Sequence, residues 1–569
     1  MNENKNLVLA ILLSALVLLG WGWMSQKFTP ANPSPVKAEN GVVKPVPQPN
    51  ASAVPNTPAQ MRNRDVVLRE GQRVQIRTQS LQGSINLKGA RIDDLVLLKQ
   101  REGIAKDSPP VRLLSPAGAP GAYFASFGWT GQGVQAPPAD ATWTASAPQL
   151  VPGKPVTLSW TSPTGQRFEL IMSVDEDYLF SVQQRVANPG ANAIAVRPFG
   201  LISRANKSPD PDSWTVHVGP IGVFNGGANY DVNWKTLDEE ANGKSFNTKG
   251  GWVGFTDKYW LTALAPAENA NFAASLRKSP SGGYQADYAD PATVVAPGQA
   301  VSTTTRLFAG AKDVKLLNRY EEAGIPKLSK AIDWGWFEWF MRPIFNLLNW
   351  LFQHIGNFGV AIICLTLIVR LIMFPIAQKQ FASMAAMRKV QPKLKAIQER
   401  FKDDKPRLQQ EMLKLYKEEK INPAAGCLPI LLQIPIFYAL YKVLLVSVEM
   451  RHQPFVAWVK DLSAPDPLHF FNLFGLLNFT PPSLLAIGPL ALLLGITMWL
   501  QFKLNPQQMD PTQQQIFAVM PWVMMFVMAP FAAGLLVYWV TSNILTILQQ
   551  WWLYRKFGLH FSDTHPVTT

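Results

Sequence analysis

Cysteine is nearly absent: the 569 residues hold two, Cys364 and Cys427, and the long polar stretch before them holds none. That stretch therefore has no disulfide framework and must be held together by burial of apolar side chains. Histidine is also scarce, with six residues at 217, 354, 452, 469, 560 and 565 in no metal-ligand spacing. No glycine-rich phosphate loop and no Ser-His-Asp arrangement is present, so no residues stand ready for nucleotide, metal or serine-hydrolase chemistry, and no cofactor or metal is expected. Acidic residues are outnumbered 39 to 53 by Lys and Arg, a formal net charge of +14. The cations are spread along the chain and partly follow membrane topology, which argues against specific nucleic-acid recognition.

What is abundant is unevenly placed. The chain is 47% hydrophobic, with a polar first half and an apolar last third. Residues 7–24 are long enough to cross a bilayer, preceded by Lys5 and ended by Trp21, Trp23 and Lys27, side chains that favour the interface. The run exceeds a usual signal-peptide core, and Trp-Gly-Trp-Met stands at its end with no small-x-small cleavage pattern directly after it. Residues 1–28 thus read as an uncleaved transmembrane anchor rather than a cleaved signal peptide. Prolines at 30, 33, 35, 45, 47, 49, 55 and 58 make 29–61 an extended tether.

Residues 62–323 read as β structure. Val74, Ile76 and Thr78 alternate with Arg73, Gln75 and Arg77, and Phe168, Leu170, Met172 and Val174 alternate ahead of an Asp175-Glu176-Asp177 turn. Further strands are expected around 252–264 and 300–307, and a short helical exit at 312–322. Many short strands with Gly- and Pro-rich turns suit a large antiparallel β-sandwich.

The region 324–355 is crowded with Trp and Phe, yet carries Asp333, Glu338 and Arg342, which fits an interfacial amphipathic helix better than a span. Residues 356–557 form a bundle of five spans, at about 356–376, 428–448, 484–502, 515–530 and 534–553, followed by a tail at 558–569. Residues 377–426 carry twelve Lys or Arg against six acids, the mark of a cytoplasmic loop. Alternation from that loop puts the β-domain and 449–482 outside, and 503–512 and both termini inside. The fold class is a multi-domain membrane protein: an α-helical bundle of five C-terminal spans plus an N-terminal anchor helix, with a large antiparallel β-sandwich outside.

Arg370 lies in the first of the five spans, where a permanent charge costs roughly 2.5–3.5 kcal/mol on insertion scales. Guanidinium keeps its proton, so it needs water, a polar cavity or an anionic partner. Arg370 is six positions before Ile376, roughly 9 Å below the inner surface at 1.5 Å per residue. Gln433 reaches a similar depth from another helix. Thr366 is one turn from Arg370 on the same face, and the last span contributes Tyr538, Trp539, Thr541, Ser542 and Asn543. A polar pocket open to the cytoplasm accommodates all of them. The alternative is that the Ser, Thr, Gln and Asn side chains bond to neighbouring helices while Arg370 snorkels to the headgroups. Lys442, seven residues before Glu449, is expected to snorkel outward and is given no role.

The loop 377–426 reads as a helical hairpin: 378–400, a turn at 401–405, and a helix over 406–419 with Asp404 as N-cap and Leu408, Met412, Leu415 and Tyr416 in one stripe. It is either a solvated positive loop or a docking surface for a partner.

The strings TLIVRLIMFP, SMAAMRKVQPKLKAIQERF, INPAAGCLPILLQIPIFYALY, DLSAPDP, FMAPFAAGLLVYWVTSN and ILQQWWLYR resemble those of the YidC family of membrane-protein insertases. The resemblance is strong over about 330–557 and mainly architectural over the β-domain. It implies a bacterial inner-membrane protein with a periplasmic sandwich similar to sugar-mutarotase folds. The implied activity is insertion and folding of nascent membrane proteins, alone or with the Sec translocon and its accessory subunits. Ribosome and signal-recognition-particle receptor are implied partners at the hairpin and the C-terminal end, and the bilayer itself is a further partner. The family's groove arginine matches Arg370, and its groove polar and substrate-contacting positions match Thr366, Gln433 and Trp539; Ser542 and Asn543 are taken as part of the same substrate groove. Trp539 keeps an aromatic contact where relatives have Tyr, but without the hydroxyl.

Two other functions fit some of these residues. A secondary transporter or small-solute channel would use Arg370 to bind an anion, but would need a polar path to both faces, whereas 359–365 is apolar. If the β-domain is instead a carbohydrate enzyme merely tethered to the membrane, deleting the sandwich abolishes function, whereas an insertase should keep its core activity.

Overall fold

Side chains that alternate apolar and polar make strands with one buried face, and the residues offered for that face are the ones found inside. In the computed structural model, residues 62–556 are described except for 211–214, 241, 280–281, 402–403, 420–427, 478, 480–481, 483–484 and 505–510. For 379–389, 391–392, 395, 405, 428–432, 475, 511–514, 516–517 and 554 the backbone alone is described. The anchor at 1–28, the tether at 29–61 and the tail at 558–569 lie outside the described residues.

Phe168, Leu170, Met172 and Val174 are buried on the strand Arg167–Val174. Asp175 Oδ1 closes the next turn by accepting from the N–H groups of Asp177 (2.9 Å) and Leu179 (3.0 Å). The chain returns as Leu179–Ala187, which pairs antiparallel with Arg167–Val174 on one edge and Ala300–Ala311 on the other. Val74 and Ile76 are buried on Arg73–Arg77. Thr78 falls beyond that strand, and its hydroxyl accepts from the N–H groups of Ser80 and Leu81. The segment around 252–264 is the hairpin Gly251–Thr256 and Trp260–Ala265.

Among the described residues these strands form two sheets, of eleven and nine strands. One pairing departs from the expected antiparallel pattern: Gln149–Leu150 runs parallel to Arg73–Arg77. A two-residue strand shows no alternation, so nothing in its sequence marks its direction. Short helices α1 (Arg64–Arg69), α2 (Trp234–Glu239) and α3 (Val314–Glu322) accompany the sandwich. Helix α3 is the exit, and Asp313 caps it by accepting from the Leu316 N–H at 2.9 Å.

Helix α4 (Glu338–Ile355) buries Met341, Phe345, Leu348 and Leu351 at spacings of three and four, and exposes Trp339 and Trp350. Its charges are paired: Glu338 meets Lys330 and, at 2.7 Å, Arg342. Helix α5 (Phe358–Arg400) begins at the Asn357 cap, where Phe352 stacks on Phe358 at 3.7 Å. Its 43 residues make one rod of roughly 65 Å, so the first arm of the hairpin is not a separate helix but the continuation of the span. Its segment Phe358–Gln378 is long and apolar enough to cross a membrane, with a mean hydropathy of 2.6.

Helix α6 (Lys405–Glu418) is the second arm, with Asp404 accepting from the Arg407 N–H at 3.2 Å as its cap. Val390 and Leu415 are buried between the arms with Leu394, Ile397 and Tyr416 beside them, and Lys393 meets Glu419 at 2.6 Å. Helices α7 (Leu428–Val446), α8 (Pro489–Leu504), α9 (Pro511–Met528) and α10 (Ala533–Lys556) complete the bundle. Helix α10 packs on α5 and α8, and α8 on α9. Helix α8 starts at Pro489, later than expected from hydropathy, because Asp466 Oδ2 accepts from the Leu490 N–H at 3.0 Å and fixes the first turn there. A side chain at Gly488 would meet that carboxylate at 2.5 Å.

Candidate functional site

The string DLSAPDP, residues 461–467, clamps the start of two helices. Carbonyl oxygens of Leu462 and Ala464 accept from the N–H groups of Gly534 (2.9 Å) and Ala533 (2.7 Å) at the head of α10. Asp466 holds the head of α8 and also accepts from Trp458 Nε1 (3.1 Å) and the Leu468 N–H (3.1 Å). Gly534 allows the close packing: a Cβ there would lie 2.9 Å from Leu444 and 3.3 Å from Ile362. The register of α10 against α5 and α7 is set at this end.

That register brings Ser542 of α10 to Arg370 of α5. The Arg370 guanidinium donates to Ser542 Oγ and, at 3.2 Å, to the Ser542 carbonyl. Arg370 is half-buried, and among the described residues no carboxylate pairs with it. Gln433 of α7 is half-buried and donates to the Tyr538 hydroxyl at 2.5 Å. Tyr538 and Ser542 stand one turn apart on α10, so Gln433, Tyr538, Ser542 and Arg370 make a polar line across three helices. Tyr538 belongs to the polar residues expected in the last span, but its part in joining Gln433 to this line was not. The signal for it is the four-residue spacing to Ser542.

The remaining expected groove residues are engaged elsewhere. Thr366 is 1% exposed, and its hydroxyl donates back to the Ile362 carbonyl at 2.6 Å, so it does not join the Arg370 pocket. A threonine in a dry helix face satisfies its hydroxyl on its own backbone. Asn543 faces α8 and donates to Thr497 Oγ1 at 3.1 Å. Trp539 is half-buried and packs edge-on against Phe437 at 4.9 Å. One pocket serving all six side chains is thus replaced by a central pair of contacts and three separate ones.

On the N-terminal side of Arg370 the bundle is dry: Ile362, Leu365, Leu440, Leu444, Leu535 and Leu536 are all buried in one cluster. On its other side, the side chains of 379–389 and 428–432 lie outside the described residues, and with them part of the expected opening. Among the described residues no cluster of three metal-ligating side chains occurs.

Lys442 corrects its expectation. It does not snorkel; it is 1% exposed, donates to the Thr215 carbonyl of the sandwich and stands 3.4 Å from Asp333 Oδ2. An ammonium that finds a carbonyl and a carboxylate within reach has no need to extend to the headgroups.

Two family models match the chain: the 60Kd inner membrane protein over residues 350–559 and the YidC periplasmic domain over 73–347. Membrane protein insertase YidC of Zymomonas mobilis is 48% identical over 559 residues, covering 98% of this chain and 96% of the relative. The protein of that name from Methylorubrum extorquens is 42% identical over 592 residues, with the same coverage of 98% and 96%. A solved YidC insertase with its first transmembrane domain resolved aligns over 86% of this chain and 94% of its own, at 19% identity and a TM-score of 0.36.

Proposed function

The chain belongs to the YidC family of membrane protein insertases, and from that premise we propose that Arg370 and the polar line joined to it form the groove that receives its substrates. It is an inner-membrane protein with a periplasmic domain, and it acts on nascent membrane proteins. This membership replaces the transporter or channel alternative. In the proposed arrangement α5, α7, α8, α9 and α10 span the membrane, with a further span at 7–24. The sandwich and 449–482 face the periplasm, while the hairpin 377–426 and both termini face the cytoplasm. The Sec translocon and its accessory subunits, the ribosome and the signal-recognition-particle receptor belong to the same proposal, the last two at the hairpin and the C-terminal end.

The observation that carries the groove is a guanidinium whose partners among the described residues are a hydroxyl and a carbonyl but no carboxylate, set beneath a dry layer. Such a charge is under-compensated in a low-dielectric setting, so an acidic side chain that approaches it gains more than it would in water. A short hydrophilic segment of the substrate enters from the cytoplasm, is partly solvated by the polar line, and crosses only the apolar layer beyond Arg370. Its hydrophobic helix then leaves sideways, because burial in lipid is favourable and needs no nucleotide. Gln433 and Trp539 contact the passing chain and Ser542 holds the Arg370 guanidinium, while Thr366 and Asn543, buried and bonded within the bundle, back the wall without facing the chain.

Site-specific photo-crosslinking of a ribosome-stalled nascent membrane protein tests this reading. Probes at Gln433 and Trp539 are expected to give adducts, with the exposed Leu371 as comparison. Adducts at 371 alone would end the groove reading.

A further inference from the structure

A second site lies at the other end of α7. The loop that follows α7 and the loop after the strand Arg91–Arg101 enclose a cleft of about 520 Å³. Lys99, Arg101 and Lys106 line it from the sandwich, and Arg451 and Lys460 from the loop after α7. Lys99 is taken by Asp177 at 3.0 Å. The other four have no carboxylate in ion-pair range among the described residues. Arg101 donates to the Ser108 carbonyl at 2.7 Å, and Arg451 donates to the carbonyls of Arg101 (2.6 Å) and Glu102 (3.2 Å). Lys106 and Lys460 are exposed. Among the described residues of the lining the one carboxylate, Glu449, is turned into the protein: Oε1 accepts from the Val314 N–H at 2.9 Å and Oε2 from Ser447 Oγ at 2.8 Å.

Three further observations define what would fit. Arg451 lies over the Trp260 ring at 5.3 Å and the Tyr259 ring at 5.8 Å, so its guanidinium is fixed in orientation before any ligand arrives. Apolar side chains are exposed at Ile104 in the lining and at Val456, four residues before Lys460 in the loop after α7. The cleft wall begins at Val448, two residues after α7 ends at Val446. If α7 spans the membrane as proposed above, the cleft opens at headgroup depth on the outer side. A ligand that is anionic at one end and apolar at the other, drawn from the bilayer surface, satisfies all three.

We propose that this cleft seats the phosphate headgroup of an anionic phospholipid from the outer leaflet, with Arg451 as the fixed donor, Lys106 and Lys460 as mobile cations, and the acyl chains leaving over Ile104 and Val456. Each cation near an anionic lipid surface adds several-fold to the attraction. The inference rests on the outward placing of the sandwich but not on the Arg370 groove.

The test compares the full-length chain with its Lys106→Gln/Lys460→Gln variant, which changes two exposed side chains. Both are placed in phosphatidylcholine nanodiscs containing one-tenth phosphatidylglycerol, part of it photoactivatable. The wild type is expected to enrich phosphatidylglycerol and to carry the crosslink on peptides containing 99–106 or 448–460, with enrichment at least fivefold lower in the variant. Equal enrichment in the variant, or crosslinks elsewhere, overturns the site. Inorganic phosphate that binds the cleft as tightly as phosphatidylglycerol does makes it a small-anion site, and a soluble acidic peptide that does so makes it a peptide site; either overturns the lipid proposal. Labelling of Ile104→Cys by an impermeant maleimide separates the premises. Labelling only from the cytoplasmic side removes the topology and the proposal together, whereas outward labelling with unchanged lipid enrichment removes the cleft proposal alone.

Discussion

Lys442 Nζ stands 3.4 Å from Asp333 Oδ2 and donates to the Thr215 carbonyl, joining a helix of the bundle, the segment ahead of α4 and the sandwich at one ammonium. The lysine side chain is 1% exposed and the aspartate 20%. Removing one partner of such a pair leaves the other under-compensated, which costs 3–5 kcal/mol when both are buried. Because Asp333 keeps some solvent, Lys442→Met is expected to destabilise the full-length chain by about 2 kcal/mol. A double-mutant cycle with Asp333→Asn, read by thermal unfolding in detergent, should give a coupling of at least about 1 kcal/mol. A coupling of zero would show that the two groups are neighbours without interaction.

Glu449 gives a pH dependence of known sign. Burial first, and the Asp313 carboxylate second, push it up from 4.5 to about 7. An acid whose pKa is raised on folding holds its proton in the folded chain where the unfolded chain has lost it. Its contribution is therefore most favourable below pH 4.5, declines as pH rises towards about 7, and is constant above that. Glu449→Gln keeps an acceptor for the Val314 N–H and should flatten this part of the profile. Unfolding midpoints of wild type and variant from pH 5 to 8 decide it: parallel profiles would remove Glu449 as the titrating group.

Asp466 gathers three donors, from Trp458, Leu468 and Leu490, at 3.0–3.1 Å. Asp466→Ala leaves them without an acceptor and is expected to cost about 2–4 kcal/mol, while Asp466→Asn, which keeps one oxygen, should lose about half of that. The unfolding midpoint of the purified protein reads both, and equal losses in Ala and Asn would show that the carboxylate charge rather than the acceptor geometry matters.

Legibility in the sequence followed distance along the chain. Phe168, Leu170, Met172 and Val174 announced a half-buried strand because burial repeats with period two, and Asp404 announced a cap because its partner is three residues away. The parallel pairing of Gln149–Leu150 had no pattern to read in two residues. Arg370 stood out by its cost in an apolar span, and Ser542 by polarity in another, but no local rule links residues 172 apart. Lys442 differs from its expectation for the same reason: its carbonyl partner is 227 residues away, and snorkelling is the default for a lysine near a helix end only when no such partner is in view. For Thr366, helical spacing gives the Arg370 face but does not say that its hydroxyl bonds backwards to its own backbone.

The Gln433–Tyr538 contact is the link that sequence alone did not supply, and it is separable from the charge. Tyr538→Phe removes the acceptor and leaves the Gln433 amide half-buried without it, a cost of about 1–3 kcal/mol. Gln433→Leu removes the donor instead, and the double variant should be no worse than Tyr538→Phe alone. Thermal unfolding of the four proteins measures this, and strictly additive losses would mean the two side chains do not act as a pair.

Arg370 offers the sharpest contrast between charge and shape. Its charge is met by Ser542 through one hydroxyl and one carbonyl, and no carboxylate pairs with it among the described residues. If the unmet part of that charge draws acidic residues of a substrate into the groove, Arg370→Ala should slow insertion of substrates with acidic translocated tails about tenfold, the equivalent of about 1.4 kcal/mol. Arg370→Lys keeps a cation on a shorter donor set and should retain much of the rate. A substrate whose translocated tail has had its acids replaced by Gln should be nearly indifferent to either change. Proteoliposome insertion assays scored by protease protection of the tail give all six rates. The electrostatic role is lost if Ala and Lys variants insert the acidic substrate at the wild-type rate. It is also lost if the Ala variant slows acidic and neutral tails equally, since that outcome would assign Arg370 to holding α5 against α10 through Ser542 rather than to contact with the passing chain.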